Sequence, residues 1–420
     1  MSNERSGFSS RLGFVLATAG SAVGLGNIWR FPYLAAKYGG GTFLLTYLIL
    51  TLTFGFSLMI TEVALGRKAG TSAIRAFGHF SKKHTFIGYL TTIIPFIIFP
   101  YYCVIGGWVT KYALISLQGG IHNAASDTFF TGFISKSAEP MICVLVFLIA
   151  TTVVVAGGVK GGVERVSTIM MPVLIVLLIG VSLFCITRPG AMAGVAYYLK
   201  PSLKGFGPTT ILAALGQLFY SMSLAMGIMI TFGSYMPKKA DLEKSVTQVE
   251  IFDTGVAFLA GLMIVPAVFV FSNGDSSMLA KGPSLMFVML PKVFDSMAFS
   301  SVIAAVFFIL VLLAALTSSI SLLETLVAVL MDKFHMKRGT ACITMFIIAL
   351  LLAVPSSLGF GAWSNITILG FDFLDFFDFI SNSVLMPIAA FLTCLFVGYI
   401  IKPKVIVDEV ESSGEFKRKS

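Results

Sequence analysis

Ten long apolar segments run through the sequence, and they constrain its fold more than any other feature. Each comes close to or exceeds the roughly 20 residues that a helix needs to cross the hydrocarbon core of a bilayer. They lie at about 12–36, 42–65, 87–117, 140–157, 167–187, 209–235, 249–271, 298–330, 341–357 and 376–400. Because 57% of the residues are apolar and only 12% are charged, one water-soluble core could not bury this much apolar surface. The sequence therefore predicts an all-α membrane protein with ten transmembrane helices, and it argues against a soluble enzyme or a nucleic-acid-binding module.

The distribution of basic residues predicts the orientation of the chain. With the N-terminus inside, the inner connections and the tail hold 20 of the 29 Lys and Arg residues, and the outer connections hold eight. Cytoplasmic loops carry such an excess. We therefore expect a multi-pass protein of the inner (plasma) membrane with both termini in the cytoplasm. The cytoplasmic loops then account for the net charge of +9, and no nucleic-acid partner is required to explain it.

Small and flexible residues interrupt the first and sixth segments at mid-membrane. The first contains Gly20, Gly24 and Gly26, and the sixth reads SMSLAMG over 221–227. An unwound backbone at that depth is tolerated only where it is buried in protein or lines a cavity. Matched interruptions are typical of transporters with inverted repeats. We predict a 5+5 inverted repeat with broken helices 1 and 6, the repeats at 1–187 and 188–400, and a cytoplasmic tail at 401–420. Close helix packing is the alternative explanation of these glycines.

The run GSAVGLGNIWRFP at 20–32 resembles the neurotransmitter:sodium symporter family, whose members have the leucine-transporter fold. Further matches follow in order at Gly39-Gly40-Gly41, Glu62 with Gly66-Arg67, Tyr102 with Trp108, Gln217-Leu218-Phe219-Tyr220-Ser221 and Leu316-Thr317-Ser318-Ser319. The resemblance implies a sodium-driven importer of amino acids or related amines, and no enzymatic activity. Members usually have eleven or twelve helices, whereas no eleventh span is predicted here after Ile401.

The resemblance implies two sodium sites, and hard cations such as sodium prefer oxygen ligands. The first site would use Ala22, Asn27, Ser221 and a group of helix 7, together with the substrate carboxylate. Asp253 aligns at or near that helix 7 position, where it could also replace the chloride that some relatives require. The second site would use carbonyls of Gly20, Val23 and Ala314 with the hydroxyls of Thr317 and Ser318. The alternatives are a solvated Asp253 in the first inner turn of its helix, and hydroxyls that bond only within their own helix.

The resemblance also implies a substrate site for an amino acid. Amine-transporting relatives carry an Asp where this chain has Gly24, so the substrate should bring its own carboxylate. Tyr102 and the backbone N–H groups of Leu25 and Gly26 would bind that carboxylate. The amine would be bound by backbone carbonyls of the broken helix 6. The residues expected in the site are Ala22, Leu25, Gly26, Ile98, Tyr102, Tyr220, Ser221, Ser223, Met226, Ser318 and Leu322. With no Lys or Arg among them, we expect a neutral, hydrophobic or aromatic amino acid, although Met226 could equally be ordinary packing.

Charged pairs are expected to gate the site on both sides. The resemblance pairs Arg30 with Asp378 outside, with Asp375 as the alternative partner. Inside, it pairs Arg5 with Asp332. Unpaired interfacial charges are the other interpretation of these residues. The buried Glu62 is expected to find a partner in the broken part of helix 6, including Gln217.

The favoured function is sodium-coupled symport of neutral, hydrophobic or aromatic amino acids by alternating access, with two sodium ions expected as cofactors. A proton-coupled or uncoupled carrier of the same fold is a second hypothesis, which the Thr317-Ser318 pair disfavours. A channel or a nutrient sensor is a third.

Overall fold

The computed structural model describes residues 7–202, 206–272 and 285–413. Among these residues the chain is built of helices, and one isolated bridge between Ile368 and Phe371 is the only β pairing. The expected all-α class is confirmed.

Eight continuous helices of the described residues are long and apolar enough to cross a membrane. They are α3 (Gly41–Ala69), α5 (Lys82–Leu117), α6 (Ala138–Ala156), α7 (Val159–Ile186), α10 (Leu242–Phe271), α11 (Ser300–Phe334), α12 (Arg338–Leu358) and α13 (Phe373–Ile401). A ninth span is the bent pair α1 (Arg11–Ala22) and α2 (Gly26–Lys37). The sixth predicted segment forms two shorter helices, α8 (Pro208–Ser221) and α9 (Ile228–Tyr235). Shorter helices include α4 (Ala73–Phe80) and, in the tail, α14 (Lys404–Glu411).

The first segment breaks just after Ala22. Val23 leaves the helical conformation, with φ −75° and ψ 101°. The chain resumes a helix at Gly26, and the two helical axes differ by 51°. The regular helix is therefore interrupted between Ala22 and Gly26.

The second break, between α8 and α9, contains strained backbone. Ser223 and Ala225 have positive φ values of 53° and 61°, and Gly227 has 73°. Left-handed backbone is costly for residues with a Cβ and persists only where the surroundings impose it. One such contact comes from α3, where Glu62 Oε1 accepts a hydrogen bond of 2.9 Å from the backbone N–H of Ala225. Glu62 therefore meets the broken part of helix 6 as expected, but through Ala225 rather than Gln217.

Helix α1 lies inside the bundle, packed against α7, α10 and α11. Small residues in α1 and in the break after it permit this approach: a Cβ on Gly20 would lie 3.3 Å from Thr317 Cβ, and one on Gly24 would lie 2.4 Å from Ser318 Oγ. The glycines therefore allow close packing as well as a break. Other helices expose apolar side chains such as Leu52, Val176 and Leu351 on their outer faces, as lipid-facing surfaces do.

Candidate functional site

A cavity lies between the two breaks, and α5 and α11 complete its wall. Its volume is about 30 Å³, well below that of a typical ligand site, so the cavity is narrow in this conformation. All eleven residues expected in the substrate site line it: Ala22, Leu25, Gly26, Ile98, Tyr102, Tyr220, Ser221, Ser223, Met226, Ser318 and Leu322. Ser21, Gly24 and Ile228 complete the lining. The residues that the resemblance implied therefore share one cavity, although they come from four separate parts of the chain.

The cavity combines an apolar wall with a few polar groups and contains no charged side chain among its described lining residues. The hydroxyl of Tyr102 is buried there; it faces Ser318 and the backbone of Leu25, but it forms no well-directed hydrogen bond to a described residue. Buried polar groups are almost always paired. A hydroxyl without such a bond at the cavity wall therefore indicates where a ligand oxygen would bind.

A buried carboxylate lies beside this cavity. Asp253 Oδ1 accepts hydrogen bonds from Asn27 Nδ2 at 2.7 Å and from Ser221 Oγ at 2.9 Å. Asn27 Oδ1 in turn accepts from the backbone N–H of Gly24 at 3.0 Å. Asp253 lies well inside α10 and is fully buried, so the solvated alternative is wrong. The carboxylate, amide and hydroxyl oxygens of this group, together with the carbonyl of Ala22, are ligands that fit a hard cation.

Sequence reasoning missed Tyr47, which belongs to the same group. Its hydroxyl donates to Asp253 Oδ2 at 3.2 Å. Tyr47 lies on α3, within an ordinary apolar segment, and no local spacing distinguishes it. Only the tertiary structure brings it to Asp253.

The residues expected at the second sodium site lie where α1 meets α11. Ser318 Oγ lies 3.5 Å from the carbonyl oxygen of Gly20 and 3.3 Å from that of Val23. Thr317 Oγ1 lies 3.0 Å from the carbonyl oxygen of Ala314. Thr317 therefore bonds within its own helix, as the alternative had it, whereas Ser318 reaches across to α1. The five groups form an oxygen-rich cluster that also fits a hard cation.

The expected outer gate residues line a vestibule outside the cavity, but they do not touch each other. Arg30 Nη1 lies 3.5 Å from Gln217 Oε1, and its guanidinium lies 5.1 Å from the ring centroid of Tyr220. Asp378 Oδ1 accepts hydrogen bonds from Tyr101 and Asn382. The direct Arg30–Asp378 pair is therefore not formed in this conformation, because each group has other partners. Asp375, the alternative, lines the same vestibule.

The inner end of the bundle is closed. Phe8 is buried with its ring edge-to-face against Phe14, Phe232 and Tyr235. Asp332 Oδ2 accepts a 2.7 Å hydrogen bond from the backbone N–H of Ser72. Its expected partner Arg5 lies outside the described residues.

A second polar cluster at this end was not assigned a role from the sequence. Glu324 is fully buried on α11, where it accepts a 2.8 Å hydrogen bond from Tyr235 and forms an ion pair with Arg338. This cluster joins α9, α11 and α12 near the inner end of the bundle.

Comparisons with known proteins agree with this geometry. The model of the sodium:neurotransmitter symporter family matches residues 5–132 and 130–419. A sodium-dependent transporter of Bacillus subtilis is 36% identical over 97% of this chain and 90% of its own length. One of Haemophilus influenzae is 35% identical over 95% and 90%. The crystal structure of MhsT in complex with L-phenylalanine superimposes with a TM-score of 0.89, at 40% identity over 97% of this chain and 93% of that one. The chain belongs to the sodium:neurotransmitter symporter family, and it is a sodium-dependent membrane transporter rather than an enzyme.

Proposed function

We propose that the protein imports neutral, hydrophobic or aromatic amino acids together with sodium by alternating access. The observation that carries this proposal is the uncharged cavity, whose wall contains the buried Tyr102 hydroxyl and also Ser221, which donates to Asp253. The carboxylate of an amino acid would accept from Tyr102 and, at the same time, help to hold a cation. The related MhsT was crystallised in complex with L-phenylalanine, which is an amino acid of this chemical class.

Two sodium ions are proposed. The first would bind at Ala22, Asn27, Ser221 and Asp253, and the substrate carboxylate would be its neighbour. The second would bind at Gly20, Val23, Ala314, Thr317 and Ser318, and it would hold α1 against α11. Because the substrate and the first ion would share a carboxylate, each would strengthen the binding of the other.

Chloride would not be required. Asp253 is a fixed negative charge, and its Oδ2 accepts a hydrogen bond from the Tyr47 hydroxyl. It would supply permanently the charge that an anion supplies in chloride-dependent relatives.

The proposed arrangement in the membrane is a ten-helix 5+5 inverted repeat, with repeats at 1–187 and 188–400. Both termini and the tail at 401–420 would lie in the cytoplasm. Substrate binding would bring Arg30 and Asp378 together outside, and the inner end, where Arg5 and Asp332 are proposed to pair, would then open.

The test is uptake of labelled amino acids into proteoliposomes. Phenylalanine, tryptophan, tyrosine and leucine should accumulate when sodium is higher outside. Glutamate, lysine and tyramine should not. Equal uptake without a sodium gradient but with a proton gradient would replace this proposal with the proton-coupled alternative. Binding without any uptake would favour a sensor.

A further inference from the structure

A cleft remote from the transport site opens at the inner end of the bundle. It lies between α4, the start of α5 and the end of α11. The side chains that matter here are Thr71, Arg75, His79, Tyr89 and Lys333. Three of these side chains, Arg75, His79 and Lys333, are basic, and no Asp or Glu is among the described lining residues of the cleft.

The basic side chains of this cleft have no acidic partner among its described lining residues. Within the described part of the chain, the side chains of Arg75 and His79 have no ion-pair partner. Lys333 is held by Tyr89, whose hydroxyl oxygen is 2.7 Å from Nζ and whose ring centroid is 4.1 Å away. The adjacent carboxylate of Asp332 accepts from the backbone N–H of Ser72.

One polar atom of the cleft also lacks a partner. Thr71 Oγ1 is buried and makes no hydrogen bond to the described residues. A hydroxyl beside three basic side chains is a donor for an anionic oxygen. The missing partner of Thr71 therefore points to an anionic ligand separately from the positive charge of the cleft.

Exposed apolar side chains close in sequence to the lining residues on α5 and α11 form what we call the apolar rim. Phe86, Tyr89, Ile93 and Phe334 expose 52%, 46%, 46% and 59% of their surface. Tyrosine and basic residues with exposed aliphatic and aromatic neighbours mark the membrane–water interface. The distribution of Lys and Arg predicts that this end is cytoplasmic, where anionic headgroups bind basic pockets between helices.

We propose that this cleft binds the phosphodiester headgroup of an anionic glycerophospholipid between Arg75 and Lys333, with the acyl chains along the apolar rim. The guanidinium can bind both non-bridging phosphate oxygens at once, and the Thr71 hydroxyl donates to one of these two oxygens. The headgroup would tie α4 to the end of α11. Because Asp332 already joins these two elements through Ser72, the bound lipid stabilises the closed inner end.

The test measures lipid binding to the whole purified protein by native mass spectrometry. The probes are phosphatidylglycerol and, as the neutral control, phosphatidylcholine. The double variant Arg75→Gln with Lys333→Gln should bind phosphatidylglycerol at least about tenfold more weakly. Lys82→Gln with Lys83→Gln removes the same charge from neighbouring exposed positions outside the cleft and should bind as the wild type does. Equal loss in both variants, or wild-type binding that does not distinguish the two lipids, would overturn the proposal.

Two further measurements separate lipid from free anion and binding from misfolding. Inorganic phosphate and glycerol 3-phosphate, at millimolar concentration, should leave the bound lipid in place. Displacement by either would identify a site for a soluble anion instead. Thr71→Val changes no charge and should weaken phosphatidylglycerol binding while leaving the thermal unfolding of the lipid-free protein unchanged. If Thr71→Val and the Arg75→Gln, Lys333→Gln double variant, measured separately, both bind phosphatidylglycerol as the wild type does, the proposal is also overturned.

Discussion

At the scale of single residues, Asp253 has the largest consequences. Its two oxygens face two different groups, Asn27 with Ser221 on one side and Tyr47 on the other. Uptake by the wild type should therefore be nearly unchanged when gluconate replaces chloride. If the carboxylate acts as the fixed anion, Asp253→Ser should transport poorly in gluconate and recover in part when chloride is restored, because an anion can then replace the lost charge. If the carboxylate instead ligates sodium directly, this variant should be inactive with either anion. Loss of most wild-type uptake in gluconate would contradict the fixed-anion role.

Met226 is predicted to set how large a side chain the cavity accepts. Met226→Phe adds volume to a buried wall, and overpacking costs about 1–3 kcal/mol. Competition against a labelled substrate should then weaken for tryptophan and tyrosine by about tenfold, and less for leucine. Met226→Leu nearly conserves volume and is the control. Parallel losses for all three amino acids would place Met226 outside the side-chain pocket.

At the scale of secondary-structure elements, the two breaks depend on contacts from neighbouring helices. Glu62 supports the strained segment through the N–H of Ala225. Glu62→Ala should lower the free energy of unfolding by about 1–3 kcal/mol, since it leaves a buried donor unpaired. Glu62→Gln keeps an acceptor oxygen and should cost less. Thermal unfolding measures both variants, and equal stability of the two would show that this hydrogen bond does not support the break.

The junction of α1 with α11 gives a second prediction at this scale. Thr317→Ala combined with Ser318→Ala should raise the sodium concentration at half-maximal substrate binding far more than it disturbs folding. The matched control is Ser319→Ala, because Ser319 bonds instead to Thr151 at 2.7 Å. An unchanged sodium midpoint in a folded double variant would assign both hydroxyls to bonding with backbone carbonyls alone.

The sequence predicted the elements better than their contacts. Apolar length located the spans because a bilayer demands about 20 such residues, and the glycines and small polar residues located both breaks. The positions of Tyr47 and Arg338 depend instead on which helices become neighbours, and one sequence holds no record of that. The substrate cavity was predictable only because a specific motif carried family knowledge. Gln217 shows the limit of this approach, because it bonds to the carbonyl of Gly26 at 2.9 Å rather than to Glu62.

At the scale of the whole molecule, the polar tail forms part of the fold. Helix α14 covers Arg67, whose side chain is completely buried and whose Nε lies 2.8 Å from Glu409 Oε1. Arg67 also donates to the carbonyl of Ala240. Through Arg67, the tail is therefore linked both to α3 and to the segment before α10. Glu409→Ala leaves this guanidinium without its counter-ion, and removing one partner of a buried pair costs about 3–5 kcal/mol. We expect a marked loss of thermal stability, whereas the exposed neighbour substitution Asp408→Ala should have little effect. Equal effects would mean that the tail merely lies on the surface.

The sodium stoichiometry decides how steeply the whole transporter responds to membrane potential. Each charge that crosses 100 mV contributes about 2.3 kcal/mol, and a tenfold sodium gradient adds about 1.4 kcal/mol per ion. Two ions then supply roughly 7 kcal/mol, enough for an amino-acid gradient of about 10⁵ at full coupling. A zwitterionic substrate adds no charge, so a change of about 60 mV should alter its steady-state accumulation about 100-fold with two ions and about tenfold with one. Accumulation in proteoliposomes clamped with valinomycin and potassium measures this slope. A tenfold response in the wild type would show that one of the two oxygen-rich clusters, Asp253 with Asn27 or Ser318 with Thr317, does not carry a transported ion.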